Sequence, residues 1–196
     1  LAQRGEQRDL GQVFEVLGLD DMDIKGAQGV EIWLNDGRTL LDFSAGLGVV
    51  GLGHNHPRII EAERKCHDAK VIDCIRVAPP KMQGALAYNI AQCLPDPLKV
   101  SFFAVSGSEA VEAAMKLCER VQTPKHKTKF LCMQGAFHGK THGALSMRTA
   151  AGFQRRFLLG IPKDNVIYVP YGDINAIDAA IKAETNGGSN SIIAVI

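Results

Sequence analysis

The sequence predicts an α/β fold, in which a mostly parallel sheet is covered by helices and preceded by a small α+β part. Two observations carry this prediction. From about residue 80, short apolar runs of strand length alternate with stripes of helical spacing, as is typical of parallel sheets with helices on their faces. Before about residue 75 the pattern is that of a hairpin and one helix. We therefore expect residues 1–75 to form the small part and residues 76–196 the sheet domain.

The small part is predicted from turn chemistry and from apolar spacing. Residues 30–34 (VEIWL) alternate apolar and polar, residues 35–37 (NDG) favour a turn, and residues 38–43 can return as a second strand. Pro57 suits the first position of a helix, and the apolar residues that follow it recur on one side of that helix.

The sheet domain is predicted from its apolar runs. Helical stripes occupy residues 82–94, where Pro95 ends the pattern, and residues 110–121. Strands are expected at residues 100–105, 130–133, 166–169 and 192–196.

Composition and charge exclude several classes of protein. The chain has 46% hydrophobic and 22% charged residues, which is typical of a globular protein. Its 22 basic and 21 acidic residues give no electrostatic basis for binding nucleic acid or an anionic membrane. The apolar runs are shorter than the ~20 residues of a membrane span, and from the first residues of the sequence we expect no secretory leader. We expect a cytoplasmic protein that binds small molecules.

The cysteines and the two chain ends add two further expectations. The five cysteines form no C-x-x-C pair and lie in apolar stretches, which indicates reduced core thiols and no metal site. The chain begins with Leu1 and ends with Ile196 inside an apolar run, so we expect both ends to be cut.

The sharpest local signal is residues 106–109 (SGSE), at the junction of a predicted strand and a predicted helix. Ser106 can cap the helix while Glu109 reaches back to the amide of Ser106, which is a capping box. Gly107 and Ser108 are small enough for a ligand to approach the free amides of the first turn, a common place for phosphate in open α/β sheets. The motif is compatible with a phosphate site and with a capped helix alone.

The second signal is residues 135–141 (GAFHGKT), just past another predicted strand. Phe137 lies in a glycine-flanked loop, where it can stack on a planar ligand or pack back on the core. His138 and His142 are four residues apart, but the carboxylate of a zinc H-E-x-x-H motif is absent. We therefore expect no metal.

The third signal, residues 46–51 (GLGVVG), matches the dinucleotide pattern G-x-G-x-x-G. In a dinucleotide site the helix starts within the motif, whereas here the next predicted helix starts at Pro57. A close-packed glycine loop is the preferred interpretation, and a nicotinamide-dependent oxidoreductase remains an alternative.

Taken in order, these stretches resemble the class III aminotransferases, and the putrescine and ornithine branch is the nearest. The similarity runs from residue 29 to residue 196 and includes the following segments: residues 29–37 (GVEIWLNDG), 41–48 (LDFSAGLG), 53–57 (GHNHP), 101–116 (SFFAVSGSEAVEAAMK), 135–141 (GAFHGKT) and 143–146 (GALS).

The resemblance implies a fold-type I enzyme that uses pyridoxal 5′-phosphate. Gly107 and Ser108 would hold the cofactor phosphate, Phe137 would stack on its ring, and His138 would stand at the ring edge. The substrate entrance would be lined by the glycine loop and by residues 75–81; the glycine-loop positions that we assign to it are Gly46, Gly48 and Val49. Glu109 and Glu112 would be helix-capping and structural residues, not catalytic ones.

The resemblance also implies parts that these 196 residues do not contain. The Schiff-base lysine and the aspartate that pairs with the ring nitrogen would lie beyond Ile196, so we expect an amino-terminal half that is inactive alone, with no catalytic residue of its own. Lys140 is expected to be a surface or phosphate-neighbouring cation. The expected partners are the complementary C-terminal half and a second subunit, because sites in this family lie at a dimer interface.

The activity implied is transfer of an amino group from a terminal amine or ω-amino acid to an oxo-acid acceptor. An aminomutase or racemase on the same scaffold is an alternative that the sequence does not separate from it. A non-catalytic interaction module is a third possibility.

Overall fold

The computed structural model of the protein describes residues 22–72, 80–149, 160–186 and 189–196. The chain divides into two compact units, Leu1–Pro80 and Lys81–Ile196. The predicted boundary near residue 75 lies outside the described residues, so the assignment of residues 1–75 to a small domain stays a prediction. Within the described ranges, no helix has the length and apolar character needed to cross a membrane.

In the first unit, the described residues 22–72 form an antiparallel sheet of three strands and one long helix. The strands are β1 (Ile24–Gln28), β2 (Glu31–Leu34) and β3 (Thr39–Leu41), in that spatial order. The predicted hairpin is confirmed as β2 and β3, and the helix α1 (Pro57–Asp68) begins at the expected proline. β1 was not predicted, because its sequence IKGAQ has little β propensity.

A backbone bridge ties the segment before α1 to the turn between β1 and β2. Gly29 and His54 exchange two hydrogen bonds, each 2.8 Å from amide nitrogen to carbonyl oxygen. Gly53 has a φ of +84°, and a Cβ built there would lie 2.9 Å from the Gly29 Cα. Only glycine has both the left-handed backbone and the small size that this approach requires.

The second unit is a parallel sheet with helices on both faces. Its sheet contains β5 (Val166–Val169), β4 (Lys129–Met133) and β8 (Ile192–Val195), in that order, with β4 parallel to both neighbours. A short antiparallel pair, β6 (Thr185–Asn186) and β7 (Ser189–Asn190), precedes β8. The α-helices among the described residues of this unit are α2 (Lys81–Cys93), α3 (Gly107–Gln122), α4 (His142–Ser146) and α5 (Ile174–Ala183).

The core forms because alternate residues of β4 face opposite sides of the sheet. Phe130 and Cys132 are fully buried in a cluster with Met115 of α3. Leu131, between them, is fully buried in the other cluster, where Ile177 of α5 packs. Three of the four strands predicted for this unit are therefore confirmed, together with its two predicted helices.

The fourth prediction, a strand at residues 100–105, is wrong for the structure described. This segment has no regular hydrogen bonding, and Val100 and Val105 are 96% and 94% exposed. A strand exists only where a neighbour completes its backbone ladder. Among the described residues, no strand lies beside this segment. The apolar pattern of residues 100–105 gives no information on whether a neighbouring strand is present.

The cysteines only partly match the expectation of core thiols. Cys132 is fully buried, and burial raises the pKa of its thiol to about 12, so it is an unreactive core group at neutral pH. Cys66 and Cys118 are half-buried and Cys93 is exposed. Cys74 lies outside the described residues.

Gly53→Ala is expected to lower the free energy of unfolding by about 1–3 kcal/mol, because alanine is strained at this φ and its Cβ collides with Gly29. Chemical denaturation measures the change. Gly51→Ala is the matched control, since a Cβ there meets no atom within 4 Å and the backbone is not left-handed. Equal losses for the two variants would contradict the assigned contact.

Candidate cofactor site

The helix α3 begins with a cap that leaves its first amides to a ligand. Ser106 Oγ accepts a hydrogen bond from the Glu109 amide at 3.3 Å, and the Glu109 carboxylate accepts one from the Val105 amide at 2.8 Å. The carboxylate thus reaches one residue further back than the Ser106 amide that we expected. The amides of Gly107 and Ser108 belong to the first turn, where no intrahelical acceptor exists. A Cβ at Gly107 would meet no atom within 4 Å, so a ligand has room there.

The loop of residues 134–141 follows β4 and carries Phe137 and His138. Its beginning is tied to the sheet and to a neighbouring segment. The Gln134 amide donates to the Val169 carbonyl at 2.8 Å, and the Gly135 amide donates to Thr149 Oγ1 at 2.9 Å. These bonds hold the loop at the carboxyl end of β4.

The 134–141 loop lies directly against the first turn of α3. Gly139 is buried at the contact, and a Cβ built on it would overlap the Ser108 hydroxyl. Its φ of +122° is also one that other residues rarely adopt. The fold therefore brings Ser108 together with the loop of Phe137 and His138, although the two segments are about 30 residues apart in sequence.

Phe137 is available for stacking. Its side chain is 63% exposed, so it does not pack back into the core. The guanidinium carbon of Arg148 lies 5.4 Å from the ring centroid, which is a cation–π distance. We expect a planar ligand to use the part of the ring that Arg148 leaves uncovered.

His138 has an unsatisfied polar atom. Its Nε2 is buried and has no hydrogen-bond partner among the described residues. Burial also lowers the pKa of His138, which favours the neutral imidazole at pH 7. Because buried polar atoms are nearly always paired, this nitrogen is open to a polar group that is not among the described residues.

Gly46, Gly48 and Val49 lie in the first unit. Ala45–Gly48 forms one left-handed turn, in which Ala45 and Leu47 have φ values of 47° and 64°. The motif follows β3, which belongs to an antiparallel sheet, and the next long helix begins only at Pro57. The strand-to-helix junction of a dinucleotide site is therefore absent at this motif. The role of these residues at a substrate entrance stays a prediction; residues 75–79, predicted to share that role, lie outside the described residues.

The glycine loop is held by an aspartate that the sequence reading did not single out. Asp42 Oδ1 accepts hydrogen bonds from the Ser44 hydroxyl at 2.7 Å and from the Ser44 and Ala45 amides at 2.8 and 2.9 Å. Its Oδ2 lies 2.8 Å from His54 Nε2. The Ser44 hydroxyl first, and then His54, lower the pKa of Asp42 from 3.8 to about 2.

The chain's relatives identify its family. Residues 18–196 match the family model described as aminotransferase class-III. The chain belongs to the class III aminotransferases. It is 35% identical over 158 residues to the acetylornithine aminotransferase of Methanopyrus kandleri, a match that covers 81% of this chain and 39% of that protein. The chain thus spans about two fifths of the length of that class III relative.

Solved structures confirm the fold. The ornithine aminotransferase of Toxoplasma gondii ME49 matches with a TM-score of 0.74 and 20% identity, over 99% of this chain and 47% of that one. An (S)-enantioselective omega-transaminase from Thermomicrobium roseum matches with a TM-score of 0.75 and 24% identity, over 93% and 44%. The predicted fold-type I architecture and the predicted family are both confirmed.

Class III aminotransferases depend on pyridoxal 5′-phosphate, and the residues present fit that group. Open space at Gly107 and the amides beside it suit a phosphate. The exposed ring of Phe137 can stack on a pyridine ring, and His138 Nε2 can form a hydrogen bond with a polar group of the cofactor.

Asp42→Asn is expected to lower the melting temperature, and the loss should depend on pH. The pKa of Asp42 is lower in the folded protein than in the unfolded chain. Its ionised carboxylate therefore stabilises the folded protein above pH 3.8, and this stabilisation is lost as the pH falls through about 2. Melting curves of both proteins from neutral pH downward should therefore converge as pH falls through this window. Asp164→Asn, at an exposed aspartate, is the control. A difference that does not change with pH would contradict the assigned role of the carboxylate.

Proposed function

We propose that this chain supplies the phosphate- and ring-binding part of a pyridoxal-phosphate-dependent transaminase. The enzyme transfers the amino group of a terminal amine or ω-amino acid to an oxo-acid acceptor such as 2-oxoglutarate. The observation that carries the proposal is the contact between Gly139 and Ser108, because it joins a phosphate-binding helix end to a loop with an exposed aromatic ring.

Each residue of the site has a distinct part in this proposal. The amides of Gly107 and Ser108 and the Ser108 hydroxyl donate hydrogen bonds to the phosphate, whose charge is favoured at a helix N-terminus. Phe137 holds the ring by stacking. At the edge of the ring, a polar group of the cofactor forms a hydrogen bond with His138 Nε2. When bound, the cofactor supplies the electron sink that transamination needs, and these residues orient it and exclude water from one side.

The catalytic groups of the enzyme are proposed to lie outside residues 1–196. The resemblance assigns the Schiff-base lysine and the ring-nitrogen aspartate to the complementary half of the enzyme. Lys140 is exposed, as a surface cation would be. A second subunit is proposed to complete the site, and the exposed apolar side chains of Leu47 and Val49, 92% and 80% exposed, support a partner at the glycine loop.

The substrate class is proposed from the relatives. They include proteins named as an acetylornithine aminotransferase, an ornithine aminotransferase and an omega-transaminase. These names support an amine at a chain end as the donor, in agreement with the branch that the sequence resembles.

Ser108→Asp in the intact protein is expected to weaken cofactor binding by about one to two orders of magnitude. The change replaces a hydroxyl donor by a carboxylate, which repels the phosphate at the helix N-terminus. The measurement is cofactor retained after dialysis, followed by absorbance and by titration of the cofactor-free protein.

Two further variants control this experiment. Ser108→Ala removes the hydroxyl without crowding Gly139 and should also weaken binding, by a smaller factor. Ser189→Asp adds the same charge at an exposed serine of β7 and should leave binding unchanged. Unchanged cofactor retention in Ser108→Asp would remove the phosphate assignment.

A further inference from the structure

Glu112 makes the densest set of contacts between α3 and the segment that follows the 134–141 loop. Its Oε1 accepts hydrogen bonds from Thr141 Oγ1 at 2.6 Å, from the Gly143 amide at 3.0 Å and from the Ala144 amide at 3.1 Å. Thr141 is the last residue of the loop and the N-cap of α4, and Gly143 and Ala144 lie in the first turn of α4. The resemblance implied a helix-capping and structural role for Glu112, and the helix whose first amides its carboxylate binds is α4.

The packing around Glu112 repeats the packing around Ser108. A Cβ on Gly143 would lie 2.5 Å from Glu112 Oε2, as a Cβ on Gly139 would overlap the Ser108 hydroxyl. Ser108 and Glu112 are four residues apart on α3 and share a face of that helix. Gly139 and Gly143 are also four residues apart. The loop end therefore meets α3 at two points, one helical turn apart, and at each point a glycine lies against a polar side chain.

The anchoring of the loop shows what this arrangement controls. Its first residues are fixed to the sheet side by the bonds of Gln134 and Gly135. Its last residue, Thr141, is fixed to α3 by Glu112. Phe137 and His138 lie between these two anchors, so their position relative to Ser108 depends on the Glu112 end.

The strength of the Glu112 contacts suits this role. A carboxylate that accepts from a hydroxyl and two amides makes charge-assisted hydrogen bonds, which are roughly twice as strong as neutral ones. The two amide bonds are partly buried, which limits competition from water.

We propose that Glu112 is a positioning residue of the cofactor site: by holding the end of the 134–141 loop on α3, it keeps Phe137 and His138 in register with Ser108. It does not touch the cofactor. This inference rests on the proposed function, because it concerns how the two parts of that site are held together.

The test compares two probes that use different parts of the site. Inorganic phosphate needs only the first turn of α3, whereas pyridoxamine 5′-phosphate also needs the ring-binding loop and has no aldehyde to form a covalent bond. Dissociation constants for both are measured by titration calorimetry on the cofactor-free intact protein, at a temperature where every variant is folded by circular dichroism.

Glu112→Ala should weaken pyridoxamine 5′-phosphate about tenfold, the upper range expected when an aromatic stack is lost, and leave phosphate affinity within about twofold. Glu112→Gln keeps one carbonyl oxygen for the three donors but loses the charge, so it should weaken pyridoxamine 5′-phosphate less than alanine does, by about threefold. Lys116→Ala, at an exposed position one turn further along α3, is the control and should change neither constant.

The outcomes separate this inference from the proposed function. If Ser108→Asp weakens both probes but Glu112→Ala weakens neither, or both equally, the positioning role is wrong and the site assignment stands. If Glu112→Ala does not fold, Glu112→Gln decides the question: an unchanged ratio of the two dissociation constants overturns the inference, and a ratio raised about threefold supports it. If the parent protein binds neither probe, both proposals fail.

Discussion

The site depends on the close approach of the 134–141 loop to the first turn of α3. Gly139 has no Cβ at the one place where a Cβ would overlap Ser108, and Glu112 binds the segment that follows. Neither segment is a cofactor site by itself: α3 offers amides and a hydroxyl, and the loop offers an aromatic ring and an unpaired imidazole nitrogen. In the site that we propose, their contact brings a place for an anion beside a place for a flat ring.

The parallel sheet is what makes this contact possible. β4 delivers the loop at its carboxyl end, and α3 packs against the face of the sheet that contains Phe130 and Cys132. Ligand sites in open α/β sheets lie at this end of the strands. The apolar cluster around Phe130 and Cys132 therefore determines where the first turn of α3 meets the 134–141 loop.

Much of the fold could be predicted from the sequence because β4, β5 and β8 are short apolar runs, as is typical of buried strands. The segment at residues 100–105 has the same pattern and is not a strand here, since strand formation also requires a neighbour. Local patterns likewise predicted the cap at Ser106 and the loop aromatic Phe137. They did not predict that Glu112 caps α4 or that Asp42 binds His54, because each contact joins residues that are distant in sequence. The sequence shows that Gly139 and Gly143 are four residues apart. It does not show that they lie against Ser108 and Glu112 of α3.

The most direct test of the account is a crystal structure of the intact protein with pyridoxal 5′-phosphate. We predict the phosphate within hydrogen-bond distance of the Ser108 hydroxyl and of the first-turn amides of α3, with the pyridine ring stacked on Phe137 and a polar group beside His138 Nε2. A cofactor whose phosphate is bound elsewhere, for example on the glycine loop of residues 46–51, would contradict the central claim.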